Sequence, residues 1–211
     1  MFLLYYGGST CIELLSYIGD LKISNKSDKF IIIDKKPQKK KFDKFKFSLS
    51  FKTTITEALK YKFKKIYIAS GDPKQRDRAL AELKNHKLKP NKLIHPTAYI
   101  GFGAQISNGV IMAPFTLVAP FAKIGENTFL NSYASIGHHT TIGKSNVLSP
   151  YSTINGNCKI GNENFFGTGA IINPSTRIGN ANKISSNSVL KSNVANYNLI
   201  HGNPAKSKLF F

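Results

Sequence analysis

The sequence predicts a chain in two parts, a small α/β unit over residues 1–90 followed by a parallel β-helix over residues 91–211. Three observations predict it. Apolar residues recur at every sixth position from Ile94 to Leu190, seventeen times without a break. Small side chains recur two places before them, as in Ala98, Ala104, Ala122, Thr128, Ala134 and Thr140. Before Leu93 the pattern is different: short apolar runs alternate with amphipathic stretches, which implies a parallel sheet with helical connections.

In the first part, Phe2–Tyr6 reads as a buried strand closed by Gly7-Gly8, and residues 11–20 (CIELLSYIGD) as a short amphipathic helix. Phe30–Ile33 reads as a second strand ending at Asp34, followed by the basic stretch KKPQKKKFDKFKF. TEALKYKFKK (56–65) reads as a helix and IYIAS (66–70) as a third strand. Residues 72–86 read as a helix with Asp72 as N-cap and Pro73 at its first position.

In the second part, a period of six fits neither a helix nor an alternating strand. It is the hexapeptide signature of a parallel β-helix, each hexad giving one short strand and one corner. The aliphatic points inward and stacks on its copies at ~4.8 Å spacing. Three hexads close one triangular coil, so residues 94–190 form between five and six coils. The Asn-rich corners NGN (155–157) and GNEN (161–164) suit left-handed backbone positions. The α/β unit is expected at the top end of this prism, and the segment 192–211 as a cap at the other end.

Composition narrows the partners. Thirty Lys and Arg stand against eleven Asp and Glu, a formal net charge of +19, and such a field attracts anions. The excess is nearly all Lys, with Arg76, Arg78 and Arg177 the only arginines. Base-specific reading favours Arg forks, and no helix carries a basic face with interleaved aromatics, so no nucleic-acid partner is expected. Cys11 and Cys158 match neither a disulfide framework nor a zinc site, and a reducing cytoplasm is the default location. The first residues lack a basic leader, and no run approaches the ~20 apolar residues of a membrane span.

The hexads, LIHPTAYIG (93–101), NSYASIGHHTTIG (131–143) and GNPAK (202–206) together resemble the left-handed β-helix acyltransferases. The likeness is greatest to sugar acetyltransferases with an N-terminal Rossmann-like domain, such as the bacillosamine- and perosamine-type nucleotide-sugar N-acetyltransferases, and to the sister branch of sialic acid O-acetyltransferases. The resemblance implies a homotrimer with active sites between neighbouring β-helices, acetyl-CoA as co-substrate and no metal. It implies acetylation of a nucleotide-linked 4-amino-6-deoxy sugar for surface glycan biosynthesis. The alternatives are O-acetylation of sialic acid or another sugar hydroxyl, and, in a different class, a non-catalytic β-helix scaffold.

The same resemblance assigns roles by position. The family hexad Ile-x-His-acid-x-x-Ile falls on Ile136–Ile142, which makes His138 the catalytic base and puts His139 where the family carries an acid. An imidazole suits the removal of a proton from an attacking amine or hydroxyl near neutral pH. Asn131 is expected to touch the acceptor. Val147, Thr168 and Ser186 align with acetyl-CoA contacts, and Lys206 with a phosphate near the adenosine end. In place of the family loop Gly-x-Ser-Gly-His-Gly the chain has Gly7-Gly8-Ser9-Thr10-Cys11-Ile12. Ser9, Thr10 and Cys11 would there face the nucleotide, Asp34 would meet its base or ribose with Lys35 adjoining, and Gly71 would line the same cleft.

Overall fold

The computed structural model describes residues 1–21, 28–35 and 39–209. Its α/β part is a four-stranded parallel sheet in the order β3-β2-β1-β4. The strands are β1 (Phe2–Tyr5), β2 (Lys29–Ile33), β3 (Ser48–Lys52) and β4 (Lys65–Ile68), and the helices α1 (Ser9–Asp20), α2 (Ile55–Ala58) and α3 (Pro73–Asn85). β1 and β2 are continuous apolar runs because both faces of a parallel sheet are covered. Cys11, Leu14, Leu15 and Ile18 of α1 pack on one face, and Ala79, Leu80 and Leu83 of α3 on the other. α3 starts where its sequence says: the Asp72 carboxylate accepts from the Gln75 N–H at 2.7 Å, with Pro73 next.

Two expectations need correction here. The helix expected over 56–65 is only Ile55–Ala58. Beyond it Tyr61 and Phe63 pack against the core at two-residue spacing, which a helix cannot provide. β3 was not foreseen, because it is a half-buried edge strand of mixed pattern. Of the basic stretch, Lys39–Phe42 forms a 3-10 turn with Phe42 buried, and residues 36–38 lie outside the described residues.

From Leu93 the chain forms seventeen two-residue strands, β5 (Leu93–Ile94) to β21 (Val189–Leu190), one every six residues. From β5 to β18 each pairs in parallel with the strand eighteen residues on, as in Phe129↔Val147, Ile136↔Ile154 and Ile142↔Ile160. The three resulting sheets are the faces of a triangular prism. The second residue of each strand points inward with the small residues of the corners, giving one continuous core column. Ile100, in the first coil, is the exception at 38% exposed. From Ile100 to Ile184 the third residue after each inward aliphatic turns the corner at a positive φ, 58° at His139 and 61° at Tyr133 and Tyr151. Left-handed backbone costs about 1–2 kcal/mol for an L-residue, offset by the stacking of like side chains between coils. Asn164 Nδ2 donates to Asn146 Oδ1, and Asn182 Nδ2 to Asn164 Oδ1, each at 3.0 Å.

The three faces differ in what they present outward. One shows Leu93, Ile111, Phe129 and Val147, all buried in a single cluster with α1 and the sheet. We call it the shielded face. The α/β part therefore lies along this face and not at the prism's top end, because a stripe of apolar residues over several coils can be covered only side-on. The open face presents Tyr99, Leu117, Ser135, Thr153 and Ile171. The basic face presents Gln105, Lys123, Thr141, Lys159 and Arg177. At the C-terminal end the hairpin β22 (Asn198–Gly202) and β23 (Ala205–Leu209) extends the shielded sheet, and Ile200 enters the core.

One buried cation locks the two parts together. Arg76 of α3 is 0% exposed. Its Nε donates to Asn127 O at 2.7 Å, its Nη1 to Ile68 O at 2.8 Å and Ser70 O at 2.9 Å, and its Nη2 to Asn127 Oδ1 at 2.9 Å. Asn127 Nδ2 returns a bond to Arg76 O at 2.8 Å. Burial lowers the guanidinium to about 9, so it stays charged at neutral pH. Around it Lys144 pairs with Asp77 at 2.7 Å and Lys84 with Glu126 at 2.6 Å. This latch corner fixes the loop Ser70–Asp72 against the prism.

Candidate functional site

Two constellations of polar side chains stand out. The first is at the carboxyl ends of the parallel strands, where ligands of open α/β sheets bind. A cavity of about 420 Å³ is lined there by Gly7, Gly8, Ser9, Thr10, Asp34, Ser70, Gly71 and Gln75, among others. α1 begins at its wall with Gly8 as N-cap and no side-chain cap; the Cys11 N–H turns back to Gly8 O at 2.9 Å, and the N-terminus itself is open to an anionic ligand. Gly7 is required: a β-carbon there would stand 2.5 Å from Asp34 Oδ2.

The structure brings Ser9, Thr10, Asp34 and Gly71 together at this cavity, but not Cys11 or Lys35. Cys11 is 0% exposed and packs among Phe2, Leu4 and Leu14. It sits on the inner side of α1, turned toward the sheet and away from the cavity, and burial pushes its thiol well above the ordinary range. Lys35 is exposed, outside the cavity lining.

The second constellation is on the corner between the open and basic faces. His138 and His139 are both exposed, with Nδ1 atoms 3.1 Å apart and rings nearly perpendicular, at 84°. Only one of these two nitrogens carries the hydrogen of that contact. His139 leans on Phe121 with centroids 5.1 Å apart, and Phe121 on Phe102 at 5.8 Å. The His138 ring lies over Gly156 of the next coil, where a β-carbon would come within 2.7 Å of Nε2. Beyond residue 90 the only carboxylates are Glu126 and Glu163. Both belong to the latch corner, so His139 is the partner this chain itself gives His138. A Gly156→Ala variant should turn the His138 ring aside while leaving the melting temperature within a few degrees. Any activity that depends on His138 should then fall at least tenfold, about the cost of a poorly placed acid–base group. Parallel melting curves and rate measurements check it.

The remaining candidates lie apart from both. Asn131, whose Oδ1 accepts from the Ser132 N–H at 2.7 Å, is on the corner between the shielded and open faces. Thr168 and Ser186 are exposed on that same corner, one coil apart. Lys206 is exposed on β23 opposite His201. Val147 is a correction: it is 3% exposed and sealed beneath the α/β part, so its side chain is out of reach of a ligand. Sequence reading also missed Arg76, and a second cavity of about 540 Å³ between the start of α3 and Phe165, Lys183 and Tyr197. An arginine amid lysines on a helix was the one available signal for the former. Among the described residues no cluster of three potential metal ligands occurs, and no helix is long and apolar enough to cross a membrane.

Comparison with known proteins agrees with this architecture. Residues 121–156 match the family model Bacterial transferase hexapeptide (six repeats). Searching curated protein sequences gave no match. Among solved structures, the chain is similar to a variant of perosamine N-acetyltransferase from Caulobacter crescentus in complex with CoA and GDP-perosamine. The TM-score is 0.87 at 18% identity, over 98% of this chain and 96% of that one. It is similar to the acetyltransferase domain of PglB from Neisseria gonorrhoeae in complex with acetyl coenzyme A, with a TM-score of 0.87 at 21% identity over 97% of each chain. It is also similar to WeeI from Acinetobacter baumannii, with a TM-score of 0.85 at 19% identity over 99% of each. Over nearly its whole length the chain has the fold of these proteins, as the hexads and the His138 motif led us to expect.

Proposed function

We propose that the protein transfers the acetyl group of acetyl-CoA to the amine of a nucleotide-linked amino sugar, of the 4-amino-6-deoxy type, in surface glycan biosynthesis in the cytoplasm. One observation carries this reading. The chain joins an exposed imidazole at the His138 hexad to a polar cavity at the sheet's carboxyl edge, within a fold whose solved relatives hold CoA with GDP-perosamine, or acetyl coenzyme A.

The chemistry follows from the residues. With its Nδ1–H donated to His139 Nδ1, His138 presents a free lone pair at Nε2. That lone pair takes a proton from the amine as nitrogen attacks the thioester carbon. The C–N bond forms, the C–S bond breaks, and the proton passes to the departing thiolate. His139 fills the orienting role that a carboxylate has elsewhere. Backbone N–H groups at the prism corners are the available donors to the developing oxyanion. Ser9, Thr10 and the start of α1 hold the phosphates, and Asp34 the nucleoside.

Each site is completed between two neighbouring copies, and three copies close the ring. His138 and Asn131 sit on opposite edges of the open face, so they meet only across copies. That face is bare and apolar at its first coils, where Tyr99 is 58% exposed and Leu117 41%, with Phe102 at 81% and Tyr151 at 60% along its edges. Such an exposed apolar patch beside the His138 edge fits an interface. Turned toward a threefold axis, it sets one copy's Asn131 edge against the next copy's His138 edge. A panel of amine and hydroxyl acceptors on nucleotide-linked sugars, read by free-thiol release, tests the assignment. Turnover is expected with 4-amino sugars. Turnover with hydroxyl acceptors alone would transfer the assignment to O-acetylation, and none with any would remove it.

A further inference from the structure

The two ends of the prism are finished differently. At the C-terminal end the hairpin brings Ile200 into the core, and Leu190 is 1% exposed. At the first coil Ile100 is 38% exposed, and Ile94 and Ile106 are half-buried. From Met112 to Leu190 no inward aliphatic exceeds 5%. Among the described residues, then, the core is open at its first coil, where stacked repeats ordinarily carry a polar cap.

The α/β part brings lysines to the same end. The Ile66 N–H donates to Asn91 Oδ1 at 2.9 Å and the Asn91 N–H to Ile66 O at 2.7 Å, so β4 begins level with the first coil. Lys29 opens β2, and Lys64 and Lys65 lie at the start of β4. α3 returns toward this end: Asp77 meets Lys144, Lys84 meets Glu126 one coil nearer, and Lys87 and Lys89 share a cavity with Asn108, one coil nearer again. Lys92 follows, just before β5. Lys65 is half-buried and the other five are exposed. The carboxylates here are few: Glu126 is held by Lys84, Asp20 lies 3.7 Å from His95, and Asp28 precedes β2.

We propose that this end of the molecule docks on a lipid bilayer whose headgroups are anionic. The lysines supply the attraction, and the open coil of Ile94, Ile100 and Ile106 is the apolar patch that enters the headgroup layer. A second copy set end to end is disfavoured, because it brings lysines against lysines. In the ring of copies proposed above, rotation about an axis parallel to the prism keeps every such end in one plane, as a flat surface requires. The outward basic faces do not share a plane. The nucleotide cavity lies at the opposite edge of the sheet, so docking leaves it open. The proposal does not depend on which group the enzyme acetylates.

The test is flotation of the full chain with phosphatidylcholine vesicles, with and without phosphatidylglycerol. Wild type should float only with phosphatidylglycerol, and should release as salt rises. Each lysine near an anionic surface contributes about fivefold to partitioning. Lys87→Gln, Lys89→Gln and Lys92→Gln together should therefore weaken binding roughly a hundredfold, at an unchanged melting temperature. Lys159→Gln, Arg177→Gln and Lys191→Gln remove the same charge from exposed sites well down the prism. These lie beyond the Debye length of about 8 Å, and their loss should change binding less than threefold. The chain has no tryptophan, so Ile100→Trp is a single reporter, and lipids brominated on their acyl chains should quench it. If Ile100→Trp does not fold, the two triple variants decide. Equal losses in both triple variants, or a bound but unquenched tryptophan, refute docking by this end. Equal retention by double-stranded DNA would give the end to a nucleic acid, and a doubling of the assembly's mass without lipid would give it to a second copy; either overturns the proposal. None of these outcomes is read through turnover, so a failure of the acetyl-transfer reading is told apart from a failure here.

Discussion

Replacing His138 by Ala is expected to lower kcat by about 10²–10⁴, the range over which a positioned general base acts, with the oligomer and its melting temperature unchanged. The ring is exposed on a corner and contributes little to packing, so the loss should appear in kcat and hardly in KM for either substrate. His139→Ala should fall between wild type and His138→Ala, because it removes the acceptor for Nδ1 and leaves Nε2. His139→Asp or His139→Glu restores a carboxylate at that place and should recover the rate at least in part. Normal turnover by His138→Ala would take the imidazole out of the mechanism.

Arg76→Ala is expected to have the largest effect on stability. It strands the carbonyls of Ile68, Ser70 and Asn127 and the Asn127 side chain in a site with no exposure. Buried acceptors left unpaired cost about 1–3 kcal/mol each, and some will find water, so a total of about 3–5 kcal/mol is expected. For a chain of this size that lowers the melting temperature by roughly 10 °C. Since Ser70 O is one of the acceptors, the variant should also lose nucleotide affinity before it loses acetyl-CoA affinity. Arg76→Lys keeps the charge but cannot reach all four acceptors, and should lie between. Thermal melts with and without a nucleoside diphosphate measure both effects.

What could be read in the sequence follows from how local each cause is. The hexads are legible because every coil repeats one rule, an inward aliphatic at Ile136, Ile142 or Ile154 and a small residue two places earlier. His138 is legible because it interrupts the rule's polar positions inside a recognisable motif. Asp72 and Pro73 announce α3 through caps that act within one turn. The misreadings are of another kind. Cys11 and Val147 were placed by alignment to a motif, but their exposure depends on what covers them. For Cys11 that is the sheet beneath α1, and for Val147 the α/β part as a whole. The outward column Leu93, Ile111, Phe129 and Val147 already held the clue to side-on packing, since solvent-facing rungs such as Lys123 and Lys159 are polar. Arg76 gave almost no signal, because its partners are main-chain carbonyls that any sequence supplies.

The most direct measurement is subunit complementation. His138→Ala and Asp34→Ala, each expected to be inactive alone, are unfolded together and refolded so that their copies mix. If the imidazole of one copy serves the nucleotide cavity of the next, random mixing restores about a quarter of the wild-type rate, the share of sites that draw both intact halves. A mixture no more active than its two parents would contradict a site shared between copies.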